Sequence, residues 1–69
     1  MKYEKITAAA VRRAFNDLTG PQISRRNAAF SEGWRIAYHW CGTYDLAKGD
    51  QMVARVVKGS HGGLTITMW

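Results

Sequence analysis

The side chains best suited to chemistry lie at positions 39–45, where an imidazole, a thiol and a carboxylate follow one another closely. His39 and Cys41 are separated by one residue, so in a strand both side chains lie on the same face. A thiol beside an imidazole can become a nucleophile when a third group orients the base. The sequence specifies no orienting acid for this pair. We therefore predict no catalytic site and no enzyme activity.

A metal site would have to draw on the same residues. The candidate ligands are His39, Cys41, Asp45 and His61, and the chain has one cysteine and two histidines in all. Structural zinc sites need four ligands at characteristic spacings, with Cys-x-x-Cys pairs as the usual signature. We therefore predict neither a metal nor another cofactor. The single cysteine cannot form an internal disulfide, which fits a reducing compartment, and we expect a cytoplasmic protein.

The basic residues predict a different kind of function. The chain has ten Lys and Arg residues and five Asp and Glu residues, which gives a net charge of +5. Residues 1–26 hold six basic and two acidic residues, whereas residues 27–69 hold four basic and three acidic residues. This concentration indicates a basic face, and arginine pairs well with phosphate. We predict a small nucleic-acid-binding regulatory protein, with DNA as the first choice of partner. The predicted contacts are Arg12, Arg25, Arg26, Arg35, Arg55 and Lys58.

Exposed aromatic side chains would support an alternative function. Trp69 continues a strand pattern on the face opposite that strand's aliphatic side chains, and such aromatic residues often anchor protein interfaces. The alternative is a protein-binding inhibitor or adaptor that uses Trp69, Trp40 and Tyr44. In size and in its lack of cofactor motifs, the chain is similar to small phage and mobile-element proteins that block a host enzyme. A homodimer would also supply stability that so short a chain lacks.

Two helices are predicted near the start of the chain. The apolar stripe of the first consists of Ala8, Val11, Phe15 and Leu18. Thr7 is its expected N-cap, and Gly20 followed by Pro21 ends it. A shorter second helix is predicted within residues 21–32, with Ile23 and Phe30 as its apolar contacts. The longest early apolar run, residues 8–11, is too short for a secretory signal or a membrane span, so neither is expected.

The remainder of the chain predicts strands. Residues 34–41 favour a strand because they are rich in aromatic and β-branched side chains, with a helix as the alternative. The segment 42–51 is interpreted as a polar connection. Residues 52–58 and 64–69 predict a hairpin, joined by the glycine-rich loop 59–63. We thus predict one α+β domain over residues 1–69, with one or two N-terminal helices packed on an antiparallel β-hairpin or three-stranded meander.

Two resemblances bear on function. The segment Lys58-Gly59-Ser60-His61 resembles the Gly-Ser-His segment of the HicA-type messenger-RNA-cleaving toxins, and the resemblance covers about four residues. It implies a ribonuclease in which His61 is the catalytic residue. The order of elements is also similar to winged-helix DNA-binding domains. That likeness would place Arg55, Lys58 and His61 on the wing, and it requires residues 31–41 to form a helix.

Overall fold

The computed structural model describes residues 5–69; Lys2 and Glu4, which entered the charge count above, lie outside the described residues. The elements are α1 (Ala8–Thr19), α2 (Ile23–Ser31), β1 (Trp34–Tyr38), β2 (Thr43–Lys48), β3 (Gln51–Lys58) and β4 (Leu64–Met68). The strands form one antiparallel sheet in the order β1-β2-β3-β4. The predicted α+β class is confirmed. Neither helix of the described part of the chain is long and apolar enough to cross a membrane.

Helix α1 forms where the apolar stripe predicts it. The Thr7 hydroxyl accepts a hydrogen bond from the Ala10 amide at 3.1 Å, which confirms the predicted N-cap. At the other end Gly20 has an extended backbone with φ of −79°, so it is not a left-handed cap. A Cβ atom there would lie 2.7 Å from the carbonyl oxygen of Asn16. Glycine therefore suits this position because there is no room for a side chain.

Helix α2 confirms the predicted second helix but not its predicted contacts. Ile23 is 67% exposed and Phe30 is 39% exposed, whereas Ala29 is buried. A small side chain at the contact lets two helices approach closely. The two larger residues lie seven positions apart on a different face of the helix from Ala29. The expectation that Ile23 and Phe30 supply the packing of α2 was therefore wrong.

One face of the sheet packs against the helices and forms the core. Phe15 of α1 meets Tyr44 of β2 edge to face, with ring centroids 5.0 Å apart. The alternation of side chains along each strand places the following residues on this helix side: Trp34, Ile36, Tyr44, Leu46, Ala54, Val56, Leu64 and Ile66. Burial of these side chains against α1 is the main force that holds the two layers together.

The opposite face of the sheet is called the open face here, because neither helix of residues 5–69 covers it. Strand register and alternation assign the following side chains to it: Arg35, Ala37, Thr43, Asp45, Ala47, Met52, Arg55, Val57, Thr65 and Thr67. Antiparallel sheets commonly keep one solvated face of this kind. The candidate site described below lies on it.

Two expectations about the middle of the chain are settled by the sheet. Residues 34–38 form strand β1, so the favoured strand is confirmed and the helix that a winged-helix arrangement requires is not formed. The polar connection expected at 42–51 is wrong, because it contains β2. Gly42, Gly49 and Asp50 lie in the turns on either side, whereas Thr43, Asp45 and Lys48 lie within β2. The sheet consequently has four strands rather than two or three, with a register shift between Leu46 and Ala47 of β2.

The turn between β1 and β2 is tight and partly strained. The Thr43 amide donates to the carbonyl oxygen of Trp40 at 3.0 Å, and the two central residues, Cys41 and Gly42, have φ of 51° and 73°. Positive φ at both central positions is the mark of a type I′ turn, whose twist suits a hairpin. Cys41 thus occupies a position that usually carries Asn, Asp or Gly.

Candidate functional site

Asp45 lies at the centre of the open face and is 8% exposed. It faces Arg55 on the neighbouring strand. The Arg55 guanidinium donates from Nε to Oδ1 at 2.8 Å and from Nη2 to Oδ2 at 3.3 Å. The Nε2 atom of His39 donates to Oδ2 at 2.6 Å. Among the residues that the structure describes, Asp45 is the one buried charged side chain, and two partners on adjacent segments compensate its charge.

These contacts fix the ionisation of the pair. The hydrogen bond from Arg55 lowers the pKa of Asp45 below its ordinary value; burial opposes this effect, and the hydrogen bond from His39 reinforces it. The same contact with Asp45 raises the pKa of Arg55. Asp45 is therefore ionised at neutral pH, and the positive charge of Arg55 is largely balanced inside the protein.

Trp69 covers the other side of Arg55. The central guanidinium carbon lies 5.5 Å from the centroid of the Trp69 ring, within the range of a cation–π contact. The backbone of Trp69 continues the β3–β4 pairing, because its amide donates to the carbonyl oxygen of Val53 at 2.9 Å. The indole ring nevertheless remains 57% exposed. Arg55 is thus held by a carboxylate on one side and an aromatic ring on the other, and this arrangement faces solvent.

The surroundings of the Arg55–Trp69 contact combine apolar and hydroxyl groups. Met52 and Val57 of β3 are exposed on the open face, and Thr65 and Thr67 of β4 lie on the same face. Thr67 is directly opposite Arg55 in the sheet. Exposed apolar side chains gathered around an arginine and a tryptophan are typical of protein contact surfaces.

Three of the predicted nucleic-acid contacts are engaged within the protein. Arg55 is bound by Asp45. Arg26 donates from Nη2 to the carbonyl oxygen of Gly20 at 2.7 Å, and its Nε is buried without a partner. Arg35 donates from Nη1 to the carbonyl oxygens of Trp34 at 2.7 Å and Phe30 at 3.2 Å. Each guanidinium thus has a structural contact that sequence reasoning could not see.

The other predicted cations lie in two separate places. Arg12 and Arg25, together with Arg13, line a groove of about 940 Å³ that α1 and α2 form with Trp34 and Lys48 of the sheet. The carboxylates of Asp17 and Glu32 also line this groove. Within residues 5–69 none of these three arginines has a hydrogen bond or ion pair. Lys58 is exposed at the end of β3, where its amide donates to the carbonyl oxygen of Gly42 at 2.8 Å. The six residues therefore do not form one continuous surface.

The three aromatic residues of the predicted partner interface are also separated. Trp40 is 71% exposed in the β1–β2 turn, whereas Trp69 pairs with the start of β3 at the opposite end of the sheet. Tyr44 lies on the helix side and contacts the rings of Phe15 and Tyr38. Of the three, Trp69 is the residue that lies on the open face beside other exposed side chains.

Of the residues considered for catalysis and metal binding, two are brought together, His39 and Asp45. The imidazole of His39 bonds to Asp45, and Cys41 is exposed in its turn. Ser60 and His61 are exposed in the β3–β4 loop, which the predicted glycine-rich segment forms. No group of three His, Cys, Asp or Glu side chains within residues 5–69 is arranged to hold a metal ion.

Sequence reasoning considered Asp45 and His39 as possible metal ligands and did not predict that they lie beside Arg55. Asp is depleted in strands, and its place opposite Arg55 becomes visible only when the β2–β3 register is known. Comparisons with protein-family models, with curated proteins and with solved structures each found no match to the chain. The arrangement of side chains is therefore the basis for a functional proposal.

Proposed function

We propose that this protein is a protein-binding domain, acting as an inhibitor or adaptor, and that the open face around Arg55 and Trp69 contacts its partner. The observation that carries the proposal is the exposed cation–π contact between the Arg55 guanidinium, held in place by Asp45, and the Trp69 ring. Trp and Arg are the residues most enriched at the energetic centres of protein interfaces. Side chains that are already ordered lose less conformational entropy on binding.

The same geometry favours a protein over a nucleic acid on this face. Asp45 already accepts hydrogen bonds from Nε and Nη2 of Arg55, so a phosphate would compete with a carboxylate at the centre of the site. Arg35, the second arginine of the open face, is occupied by backbone carbonyls. A protein surface needs no phosphate contacts and can use the apolar and threonine side chains nearby. The net charge of +5 further favours a partner with an acidic rim, because opposite charges accelerate association.

Nucleic-acid binding remains a second candidate, supported by the groove between α1 and α2. Arg12, Arg13 and Arg25 line it, with no internal partner among residues 5–69, so their donors are available to phosphates. Affinity for DNA or RNA should then fall steeply with salt concentration. Arg25→Ala should reduce the slope of that dependence by about one charge. Arg26→Ala, at a residue bound to Gly20, should leave the slope unchanged.

The leading proposal is tested by capture and then by affinity. The immobilised protein is exposed to a nuclease-treated extract, the retained protein is purified, and its dissociation constant is measured. Trp69→Ala should weaken binding by about 30-fold or more, as expected for an interface centre. The matched control is Ile23→Ala, which removes an apolar side chain of α2 that is at least as exposed as Trp69 and should leave affinity unchanged.

A second variant makes the test independent of tryptophan. Val57→Glu adds a charge to the open face at an exposed position of β3 and should also weaken binding. If the partner binds Trp69→Ala and Val57→Glu as tightly as the unmodified protein, the open face is not the interface. If nuclease treatment removes all retained material, the groove between the helices becomes the leading site.

A further inference from the structure

Strand β4 forms an edge of the sheet, and within residues 5–69 no other segment pairs with its outer side. We infer that the outer edge of β4 pairs antiparallel with β4 of a second copy, making one continuous eight-stranded sheet. This inference goes beyond the proposed function, since it concerns the backbone edge of β4 and not the side chains of the open face. An unpaired strand edge is a template for another strand. The features that identify a second copy as the occupant are the backbone pattern, the side-chain register and the charge.

The backbone pattern determines which groups of β4 are available. The Trp69 amide bonds to Val53 at 2.9 Å and the Gly59 amide bonds to Gly63 at 2.7 Å, so residues 63 and 69 bond towards β3. Bonding alternates along an antiparallel pair. Consequently Leu64, Ile66 and Met68 direct their amides and carbonyls away from β3, towards the free edge.

One symmetric register uses all three of these residues. With a two-fold axis at Ile66, Ile66 faces Ile66 of the second copy and Leu64 faces Met68 of the second copy. Each of these pairs is of the type that exchanges both backbone hydrogen bonds. With the axis at residue 65, Met68 falls opposite Gly62, before the start of β4 in the second copy; with the axis at residue 67, Leu64 falls opposite a position beyond the range Leu64–Met68 of that strand. The geometry of the strand therefore favours the axis at Ile66.

The side chains match in the same register. On the helix side, Leu64, Ile66 and Met68 would form an apolar row continuous with the core, and Met68 is partly exposed in the single chain. On the open face, Thr65 would face Thr67 of the second copy, a favourable cross-strand pair. Trp69 would lie opposite Gly63 of the second copy. Nothing lies within 4 Å of the position a Gly63 Cβ would take, so this space can accept an aromatic ring.

Charge distinguishes β4 from the other edge strand. Residues 64–69 contain no charged side chain and no proline, although the whole chain has a net charge of +5. Edge strands that avoid pairing usually contain such residues. Strand β1, at the opposite edge, contains Arg35 and is contacted by the end of α2 through Phe30. The edge at β4 thus lacks the common protection and is the one suited to self-association.

The register is tested by charge pairs at exposed positions. Thr65→Glu combined with Thr67→Glu places like charges opposite each other across the two-fold axis, whereas Thr65→Lys combined with Thr67→Glu places opposite charges there. The unmodified protein should form a dimer in sedimentation equilibrium. The double Glu variant should raise the dimer dissociation constant at least about tenfold, and the Lys/Glu variant should restore it. Circular dichroism verifies that both variants are folded.

A third variant tests the backbone itself. The amide of Met68 points away from β3, so Met68→Pro removes no hydrogen bond to β3 or to any other segment of residues 5–69, but it blocks pairing at the edge. It should be folded and monomeric, while Met68→Leu should dimerise. Amide exchange at Leu64, Ile66 and Met68 should slow as the concentration of unmodified protein rises. A monomer at the highest soluble concentration, or a dimer that persists in both the double Glu and the Met68→Pro variants, would overturn the inference.

Discussion

Arg55 donates hydrogen bonds to both carboxylate oxygens of Asp45 across the β2–β3 pair, at 2.8 and 3.3 Å. The two residues lie directly opposite each other in the register, so the sheet itself sets their separation. The Asp45–Arg55 pair matters both for stability and for the proposed function, because the carboxylate that stabilises the sheet also orients the arginine that contacts Trp69.

Stability should fall in acid because of Asp45. Its pKa in the folded state is lowered, mainly by Arg55, from the ordinary Asp value of about 3.9. The unfolded state therefore binds a proton more readily, so this contribution to stability is present above about pH 4 and is lost as the pH falls through the folded pKa. Urea denaturation over this range should show a steeper pH dependence for the unmodified protein than for Asp45→Asn. Asp50→Asn, in an exposed turn, is the control and should keep the steep dependence.

Arg26 and Arg25 are adjacent but should differ in their effect on stability. Arg26→Ala removes a charged hydrogen bond to the Gly20 carbonyl at the end of α1, which should lower the free energy of unfolding by about 1–3 kcal/mol. Arg25→Ala removes an exposed side chain and should change it by less than about 0.5 kcal/mol. Chemical denaturation of the two variants measures the difference. Equal effects would mean that the contact with Gly20 contributes nothing.

Cys41 should be replaceable with a gain in stability. Its φ of 51° lies in the left-handed region, which Asn and Gly adopt more readily than Cys. Cys41→Asn should stabilise the protein by a few tenths to about 1 kcal/mol, since Asn-Gly is a preferred type I′ pair. Cys41→Val should destabilise it, because β-branched residues disfavour positive φ. A melting temperature that is higher for Val than for Asn would contradict this interpretation of the turn.

Alanine substitutions at Gly42 and Gly49 distinguish the cost of backbone strain from the cost of steric crowding. Both glycines have positive φ, 73° and 60°, so alanine at either position should cost about 1–2 kcal/mol. At Gly42 the new Cβ would also lie 3.1 Å from the Lys58 carbonyl oxygen, whereas at Gly49 nothing lies within 4 Å. Gly42→Ala should therefore be the more destabilising change in urea titrations. If the two variants are equally stable, the contact with Lys58 imposes no constraint.

Elements with a clear period could be predicted from the sequence. Helix α1 follows from its apolar stripe and its Thr7 cap, and the β3–β4 hairpin follows from two alternating runs around a glycine-rich loop. Strand β2 was missed because only Tyr44 and Leu46 mark its buried face, and Asp45 between them is a residue that strands rarely contain.

The candidate site could be predicted only in part. Trp69 and Arg55 were named from the sequence, but for two different functions, because nothing in the chain indicates that one lies over the other. Their contact depends on the β3–β4 register, which brings residues 14 positions apart to the same face. Arg26 and Arg35 were assigned to phosphate because an arginine that binds a backbone carbonyl has no local sequence signal. Their role in nucleic-acid binding stays a prediction.

Strands β1, β2 and β3 each pair with the strand that follows them in the chain. Such contacts close short loops, and chains dominated by them fold quickly. Phe15, by contrast, is buried against strands that come much later, so α1 can complete its packing only after the hairpins exist. We expect helix docking to follow formation of the sheet. Phe15→Leu should then accelerate unfolding far more than it slows refolding in stopped-flow measurements, whereas Leu46→Ala should slow refolding as well.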